Sequence, residues 1–265
     1  MSEASLTLSA LSAVLAGAVY AYVGLRISRR RVSGEARTAQ VLFCFFWFAL
    51  AGSSLLRAFQ LALYMNGHLA IWLYSGLGQV AVLAIVVALV GLLYYLLYLY
   101  TGTNRIAIPL IVYGLVLYAT FQALIAWYGP PPALGDDGWA IQRLPEVKLQ
   151  PAAGLLFVAF FLGPQLAAAV AYALLYRKAR EPTQRYRIAM VSGGFFVWFG
   201  STFVATGLGL QGRLWQVFSL MLSLAAAMVI LLAYLPPPGW RRRWGLRSID
   251  EEARGPVAPM AGAGP

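Results

Sequence analysis

The stretch VLFCFFWFALAGSSLLRAFQ, residues 41–60, carries one charged residue, Arg57, inside an apolar run. An arginine near the centre of a membrane helix costs roughly 2.5–3.5 kcal/mol on insertion scales, so it usually has a role. On a helix, Ser53, Arg57, Gln60 and Tyr64 recur at i, i+4, i+7 and i+11 and form one polar stripe. Such a stripe should face other helices or a cavity, and the sequence therefore predicts a bundle that closes around residues 41–60. The alternative is that Arg57 extends to the nearer membrane surface and has no chemical role.

The amino-acid composition is that of an integral membrane protein. Of the 265 residues, 61% are hydrophobic and 11% are charged, whereas a soluble domain carries about 25% charged residues. The net charge is +11, but the basic residues flank apolar segments, which is typical of membrane orientation and not of a nucleic-acid-binding surface. The single cysteine, Cys44, lies in an apolar stretch and excludes a disulfide within the chain. The N-terminus lacks the basic start of a signal peptide, so we expect the first apolar stretch to be retained.

Seven hydrophobic stretches are long enough to cross a bilayer, which takes about 20 apolar residues per helix. They lie at about residues 5–26, 38–65, 70–100, 105–128, 151–176, 188–210 and 213–235. The predicted fold is an all-α integral membrane bundle of seven transmembrane helices, with residues 1–245 as one domain. Residues 246–265 form a short tail that we expect to be disordered, because its end is rich in Ala, Gly and Pro. The long polar connection at residues 129–150 is typical of a functional or mobile loop.

The distribution of Lys and Arg predicts the orientation of the bundle. The links on one side carry 16 of these residues and the links on the other side carry 3, while Arg57 completes the 20. The N-terminus is therefore predicted to lie outside and the C-terminus in the cytoplasm, in a multi-pass protein of the plasma membrane. The cytoplasmic basic face consists of Arg29, Arg30, Arg31, Arg177, Lys178, Arg185, Arg187, Arg241, Arg242 and Arg243. We expect it to contact anionic lipid headgroups or a cytoplasmic signalling partner.

The residues that are missing from the predicted spans disfavour several classes of function. All nine acidic residues lie outside the spans, whereas proton pumps and proton-coupled transporters usually need intramembrane carboxylates. The one histidine, His68, lies in a turn and cannot form a haem or multi-histidine metal site. Both lysines lie in loops, so retinal cannot bind the last span as it does in microbial rhodopsins. No serine has the histidine or acid partner of an activated nucleophile, and we predict no catalytic residue, metal, cofactor or enzymatic activity.

Arg57 and seven uncharged polar residues in the outward half of the bundle are the candidates for a ligand pocket. Their depth follows from their distance to the ends of the alternating spans, at about 1.5 Å per residue. The candidates are Arg57, Gln60, Ser53, Gln79, Gln122, Thr202, Gln216 and Ser219. A cavity open to the outside could use Arg57 to bind an anionic or carbonyl-bearing ligand. The alternative is that these residues form hydrogen bonds between helices, worth about 0.6 kcal/mol per contact on average.

Three stretches carry a resemblance to known sequences: GLLYYLLYLYTG at residues 91–102, RYRIAMVSGGFFVWFG at residues 185–200 and AYLPPPGWRRRW at residues 233–244. They resemble seven-helix membrane regions of uncharacterised bacterial proteins and the N-terminal seven-helix sensor regions of some histidine kinases and diguanylate cyclases. The likeness covers most of residues 40–245 and consists of packing and anchoring residues. In those sensors a signalling domain follows the last helix, whereas here about 20 residues follow Trp244. The resemblance implies a sensor whose output passes through a partner.

The sequence therefore predicts a stand-alone sensor or receptor-like membrane protein, with an outward-facing polar pocket and a basic cytoplasmic face that engages a partner. The alternative is a small-solute transporter or channel component. Pro164 and Gln165 in the fifth span match one of the two Pro-Gln pairs of PQ-loop transporters, but the first span has no proline. A transporter should show a broken helix or paired constrictions, whereas a receptor should be closed on its cytoplasmic side.

Overall fold

The computed structural model describes residues 3–29, 35–67, 70–103, 105–128, 163–208 and 213–248, and every regular element within them is an α-helix. The helices are α1 (Glu3–Ser28), α2 (Glu35–Met65), α3 (Ile71–Thr101), α4 (Ala107–Tyr128), α5 (Gly163–Lys178), α6 (Pro182–Leu208), α7 (Arg213–Tyr234) and α8 (Pro238–Trp244). The predicted all-α class is confirmed for this part of the chain. The loop at residues 129–150, the start of the predicted fifth span at 151–162, and residues 249–265 lie outside the description.

Each of the helices α1 to α7 falls on one of the seven predicted stretches. The ends follow local backbone chemistry. Helix α3 stops at Gly102, which has φ of 68° and donates its N–H to the Tyr98 carbonyl at 2.8 Å. Glycine suits this left-handed position because it has no Cβ to clash with the backbone. Helix α6 begins with Pro182, whose missing N–H would have no partner within the helix at that position.

Within the residues that the structure describes, four helices contain segments that are long and apolar enough to cross a membrane. These segments are Leu6–Ser28, Ala36–Met65, Ser75–Thr101 and Val217–Tyr234, and α4 contributes a shorter apolar segment, Ala107–Thr120. Length and composition thus give a helical membrane bundle, as the sequence predicts.

The helices pack as a ring with one helix outside it. Helix α1 packs against α2 and α7, α2 packs against α3, α3 packs against α5, and α6 packs against both α5 and α7. Helix α4 packs against α3 and turns apolar side chains outward, among them Ile108, Leu115 and Trp127. Such a surface suits contact with lipid tails.

The hydrophobic core is centred on Trp47, whose side chain has no exposed surface. Its ring lies 6.1 Å from Tyr20 of α1, 6.4 Å from Phe195 of α6 and 6.0 Å from Tyr234 of α7, centroid to centroid. Aromatic pairs of this kind are worth about 0.5–1.5 kcal/mol beyond the area that they bury. One side chain of α2 therefore joins three other helices of the ring.

Glycines allow α1, α2 and α3 to approach each other closely. A Cβ added to Gly91 of α3 would lie 2.7 Å from the Leu42 carbonyl oxygen of α2, and one added to Gly24 of α1 would lie 3.1 Å from the Trp47 Cβ. Small residues at such contacts are common in membrane helices, where association depends on van der Waals packing. An added Cβ would be tolerated less well at Gly91 than at Gly24, because the atom that it would meet at the shorter distance belongs to the backbone.

Gly91→Ala should lower the melting temperature of the purified protein in detergent by several degrees. The added methyl group must push α3 away from α2, and such overpacking typically costs about 1–3 kcal/mol. The matched control is Gly76→Ala in the same helix, where an added Cβ meets no atom within 4 Å. The control should melt at or above the wild-type temperature. Equal melting of the two variants would contradict the close packing of α2 and α3.

Candidate functional site

Arg57 and Gln60 form a hydrogen-bonded pair on α2. The Arg57 Nη1 donates to the Gln60 Oε1 at 3.3 Å. Arg57 is half-buried, whereas Gln60 is only 2% exposed. The two residues are three apart, so they lie on the same face of the helix, as the predicted polar stripe requires. Ser53 and Tyr64, the ends of that stripe, are also half-buried.

The amide of Gln60 points towards α3. Its Nε2 lies 3.8 Å from the position that a Cβ on Gly78 would take. The buried amide of Gln60 is therefore next to Gly78 at the contact between α2 and α3. The next residue, Gln79, is half-buried and faces α4, because its hydrogen-bond partner is Gln122.

Gln79 and Gln122 connect α3 to α4. The Gln122 Nε2 donates to the Gln79 Oε1, and both side chains are half-buried. Gln79 therefore bonds to a residue of α4, whereas Arg57 and Gln60 bond to each other within α2. Together the two pairs form a polar group across α2, α3 and α4, which we call the polar tract (Arg57, Gln60, Gln79 and Gln122).

The remaining candidates for the pocket lie on α6 and α7. Ser219 is half-buried on α7, which packs mainly against α1 and α6. Helices α6 and α7 include Thr202 and Gln216, but the side chains of these two residues lie outside the described part of the structure. The structure thus brings four of the eight candidates together, with Ser53 one turn before Arg57.

Packing along α3 differs between its two halves. From Ala70 to Ile85 none of the described side chains is fully buried, and this half carries Gln79. In the second half the buried residues are Val86, Ala88, Leu89, Leu92, Tyr94 and Leu96. The aromatic core residues Trp47, Tyr20, Phe195 and Tyr234, which we call the Trp47 cluster, lie beside this second half. Here the ring of Phe43 of α2 stacks on the ring of Tyr95, with 4.0 Å between the centroids. Gln79 therefore lies in the less tightly packed half of α3, and the other half of this helix packs on aromatic side chains.

The predicted basic face lies at the closed end. Arg29, Arg177, Lys178, Arg185, Arg242 and Arg243 are exposed, Arg187 and Arg241 are half-buried, and Arg30 and Arg31 lie outside the described residues.

Four basic side chains at this end lie over tyrosine rings. The distances to the ring centroids are 4.9 Å for Arg26 over Tyr22, 4.5 Å for Lys178 over Tyr100, 4.8 Å for Arg185 over Tyr176 and 5.0 Å for Arg187 over Tyr234. Such cation–π contacts are worth about 0.5–1 kcal/mol at exposed sites. Sequence reasoning missed these tyrosines, although the i, i+4 spacing of Tyr22 and Arg26 could have indicated one pair.

The chain leaves α7 through a short helix that packs back on the bundle. Helix α8 places Trp240 and Trp244 against Tyr186 of α6, with centroid distances of 6.3 and 6.1 Å. After α8, Leu246 is buried and the Arg247 N–H donates to the Thr183 Oγ1 at 3.1 Å. Pro236 and Pro237 separate α7 from α8. The described part of the chain extends to Ser248, three residues past the predicted end of the bundle at 245.

Comparison with protein-family models, with curated proteins and with solved structures found no match to this chain. In the described residues no group of three or more His, Cys, Asp or Glu side chains is placed to hold a metal ion. The candidate site is therefore defined by its geometry, that is, by the polar tract and the closed basic end.

Arg57→Lys and Arg57→Leu should both lower the melting temperature in detergent by several degrees. Leucine removes the donor to the buried amide of Gln60, and stranding a buried polar group costs about 1–3 kcal/mol. Lysine keeps the charge but lacks the planar set of donors of arginine. If Arg57 only reached to the membrane surface, Arg57→Lys would leave the melting temperature unchanged. Arg57→Leu would then leave it unchanged or raise it.

The matched controls are Arg105→Lys and Arg105→Leu, because Arg105 is exposed in the connection between α3 and α4. Both controls should melt within about one degree of the wild type, since surface substitutions usually change stability by no more than ~0.5 kcal/mol. Arg57 variants that melt at or above the wild-type temperature would show that this residue does not stabilise the polar tract.

Proposed function

We propose that this protein is a stand-alone membrane sensor or receptor-like protein without enzymatic activity. In this proposal it crosses the plasma membrane seven times, with its N-terminus outside and its C-terminus in the cytoplasm. The observation that carries the proposal is the asymmetry of the bundle. Polar side chains lie in the half that the charge distribution assigns to the outside, and a packed aromatic core fills the half assigned to the cytoplasm.

The polar tract has the chemistry to bind a small anionic or carbonyl-bearing ligand. The guanidinium of Arg57 supplies several donors in a fixed plane, which suits a carboxylate. The amides of Gln60, Gln79 and Gln122 can donate or accept. A ligand that replaced the hydrogen bonds between these side chains would change how α2, α3 and α4 pack at this end.

Two long helices connect the polar tract with the basic face. Helices α2 and α3 each have 31 residues, which corresponds to about 46 Å at 1.5 Å per residue. A change in their packing at the outer end would be transmitted through Trp47 and the contact at Gly91 to the cytoplasmic end. A ligand produces such a change only if it binds the two arrangements of the helices with different affinity.

The cytoplasmic face would give the output of the sensor. Its basic residues lie in the segments 26–37, 177–187 and 240–254, and an acidic surface of a signalling protein would complement them.

The alternative function, transport of a small solute, has less support. Transporters commonly bind substrate at a broken helix near the midplane and open to both sides in turn. Helices α2 and α3 run unbroken past the polar tract, and the half below it is filled by the Trp47 cluster. Pro164 lies at the start of the described part of α5, and the residues before it lie outside the description.

Ligand-dependent stabilisation tests the proposal. Purified protein would be melted in detergent with a panel of small carboxylates and amides, each far above its expected dissociation constant. A ligand at 100 times its dissociation constant stabilises the folded state by about 2.7 kcal/mol. At least one compound should raise the melting temperature of the wild type and of Arg105→Gln, but not that of Arg57→Gln.

Uptake into liposomes separates the two functions. The compound that stabilises the protein should enter liposomes containing the wild type no faster than protein-free liposomes. Protein-dependent uptake would favour the transporter. Stabilisation of Arg57→Gln equal to that of the wild type, or no stabilising compound in the panel, would contradict a ligand site built on Arg57.

A further inference from the structure

Helix α8 and the residues after it form a fixed aromatic surface at the closed end of the bundle. Trp240 and Trp244 are 38% and 47% exposed, and their rings lie 5.4 Å apart at an angle of 46°. They are four residues apart, so both lie on one face of the short helix. Tyr186 supports both rings from α6. The exposed aromatic area is therefore held in place by a partner ring.

A hydrogen bond holds the same segment to the start of α6, and a second bond joins α6 to α7 at the tyrosine that supports the tryptophans. The Tyr186 hydroxyl donates to the Leu232 carbonyl at 3.1 Å, and the Arg247 N–H donates to the Thr183 Oγ1 at the same distance. Gly245 turns the chain with φ of 61°. This turn carries Leu246 into a buried position, so the segment follows the bundle instead of extending away from it.

Positive charge surrounds the two tryptophans. Arg241, Arg242 and Arg243 form the last turn of α8, and the side chains of Arg242 and Arg243 are exposed. Glu181, in the connection between α5 and α6, is the acidic residue in the description nearest along the chain to Thr183 and Tyr186. Arg242 and Arg243 thus present two exposed guanidinium groups on the same short helix as the tryptophans.

We propose that residues 235–248 form a binding surface for anionic phospholipid headgroups at the cytoplasmic face of the membrane. The segment starts directly after α7, so its tryptophans lie at the level where a spanning helix leaves the bilayer. Tryptophan is enriched at this depth because its ring is apolar and its N–H is polar. Arginines beside it attract anionic headgroups, and a short helix with both features lies in the interface plane.

An acidic protein is the competing occupant of this surface. Exposed tryptophans beside the end of a membrane helix favour the lipid, because they can insert at headgroup level while the arginines bind phosphate. The inference does not depend on the proposed sensor function. It concerns the closed end of the bundle, and the polar tract could bind nothing while the lipid site remained intact.

Native mass spectrometry of the full-length protein in neutral detergent tests the proposal. The probe is phosphatidylglycerol, with phosphatidylcholine of the same chain length as the uncharged reference. The wild type should bind phosphatidylglycerol more tightly. The variant Arg242→Gln/Arg243→Gln should lose about tenfold or more in affinity for it, since each arginine near the surface contributes to headgroup attraction. Its binding of phosphatidylcholine should stay unchanged.

The charge-matched control is Arg105→Gln/Arg180→Gln, because these two arginines are also exposed at the closed end but are not among the residues of the basic face. The affinity of this control for phosphatidylglycerol should fall by less than about threefold. Both double variants should melt like the wild type because they alter exposed side chains. Equal losses in the two variants would indicate a general charge effect and overturn the assignment of the site. Undiminished affinity in the α8 variant would also overturn it and leave the surface to a protein partner. Displacement of the lipid by millimolar inorganic phosphate would show that the site recognises free phosphate.

Discussion

The packing of Trp47 against Tyr20, Phe195 and Tyr234 is the contact on which the arrangement of the bundle depends. It joins α2 to α1, α6 and α7 at one depth, and the glycine contacts draw α1 and α3 towards α2 beside it. In a membrane, helices associate through such packing and not through the hydrophobic effect. The large buried side chains of the described residues are concentrated around Trp47, so the bundle is closed at that depth.

The polar tract follows from the membrane around the bundle. Hydrocarbon cannot satisfy amides or a guanidinium, so the polar side chains of α2, α3 and α4 must find partners within the protein. They do so in pairs, Arg57 with Gln60 and Gln122 with Gln79. Hydrogen bonds of this kind are weak on average in membrane proteins, so a ligand with better geometry could replace them. The closed core around Trp47 gives any such rearrangement a rigid base.

The sequence predicted the features that depend on one helix at a time. Long apolar runs located α1 to α7, and the helical period placed Ser53, Arg57, Gln60 and Tyr64 on one face. It could not predict that Gln79 bonds with Gln122, because this pair depends on which helices are neighbours and how each is rotated about its axis. The same reason hid the tyrosines beneath Lys178, Arg185 and Arg187, which come from other helices. The proline run after α7 predicted a stop, but the return of the chain through Gly245 to Thr183 depends on a tertiary contact.

The accessibility of two engineered cysteines to a membrane-impermeant maleimide tests most directly the proposal that the polar tract faces the outside while the core around Trp47 is closed. In a Cys44→Ala background, Gln79→Cys probes the polar tract and Ser192→Cys probes the core of α6, where Ser192 is buried. Gln79→Cys should react in intact cells, and Ser192→Cys should react neither there nor in inverted vesicles. Labelling of Ser192→Cys from the cytoplasmic side at a similar rate would contradict the closed core. Reaction of Gln79→Cys only in inverted vesicles would contradict the orientation.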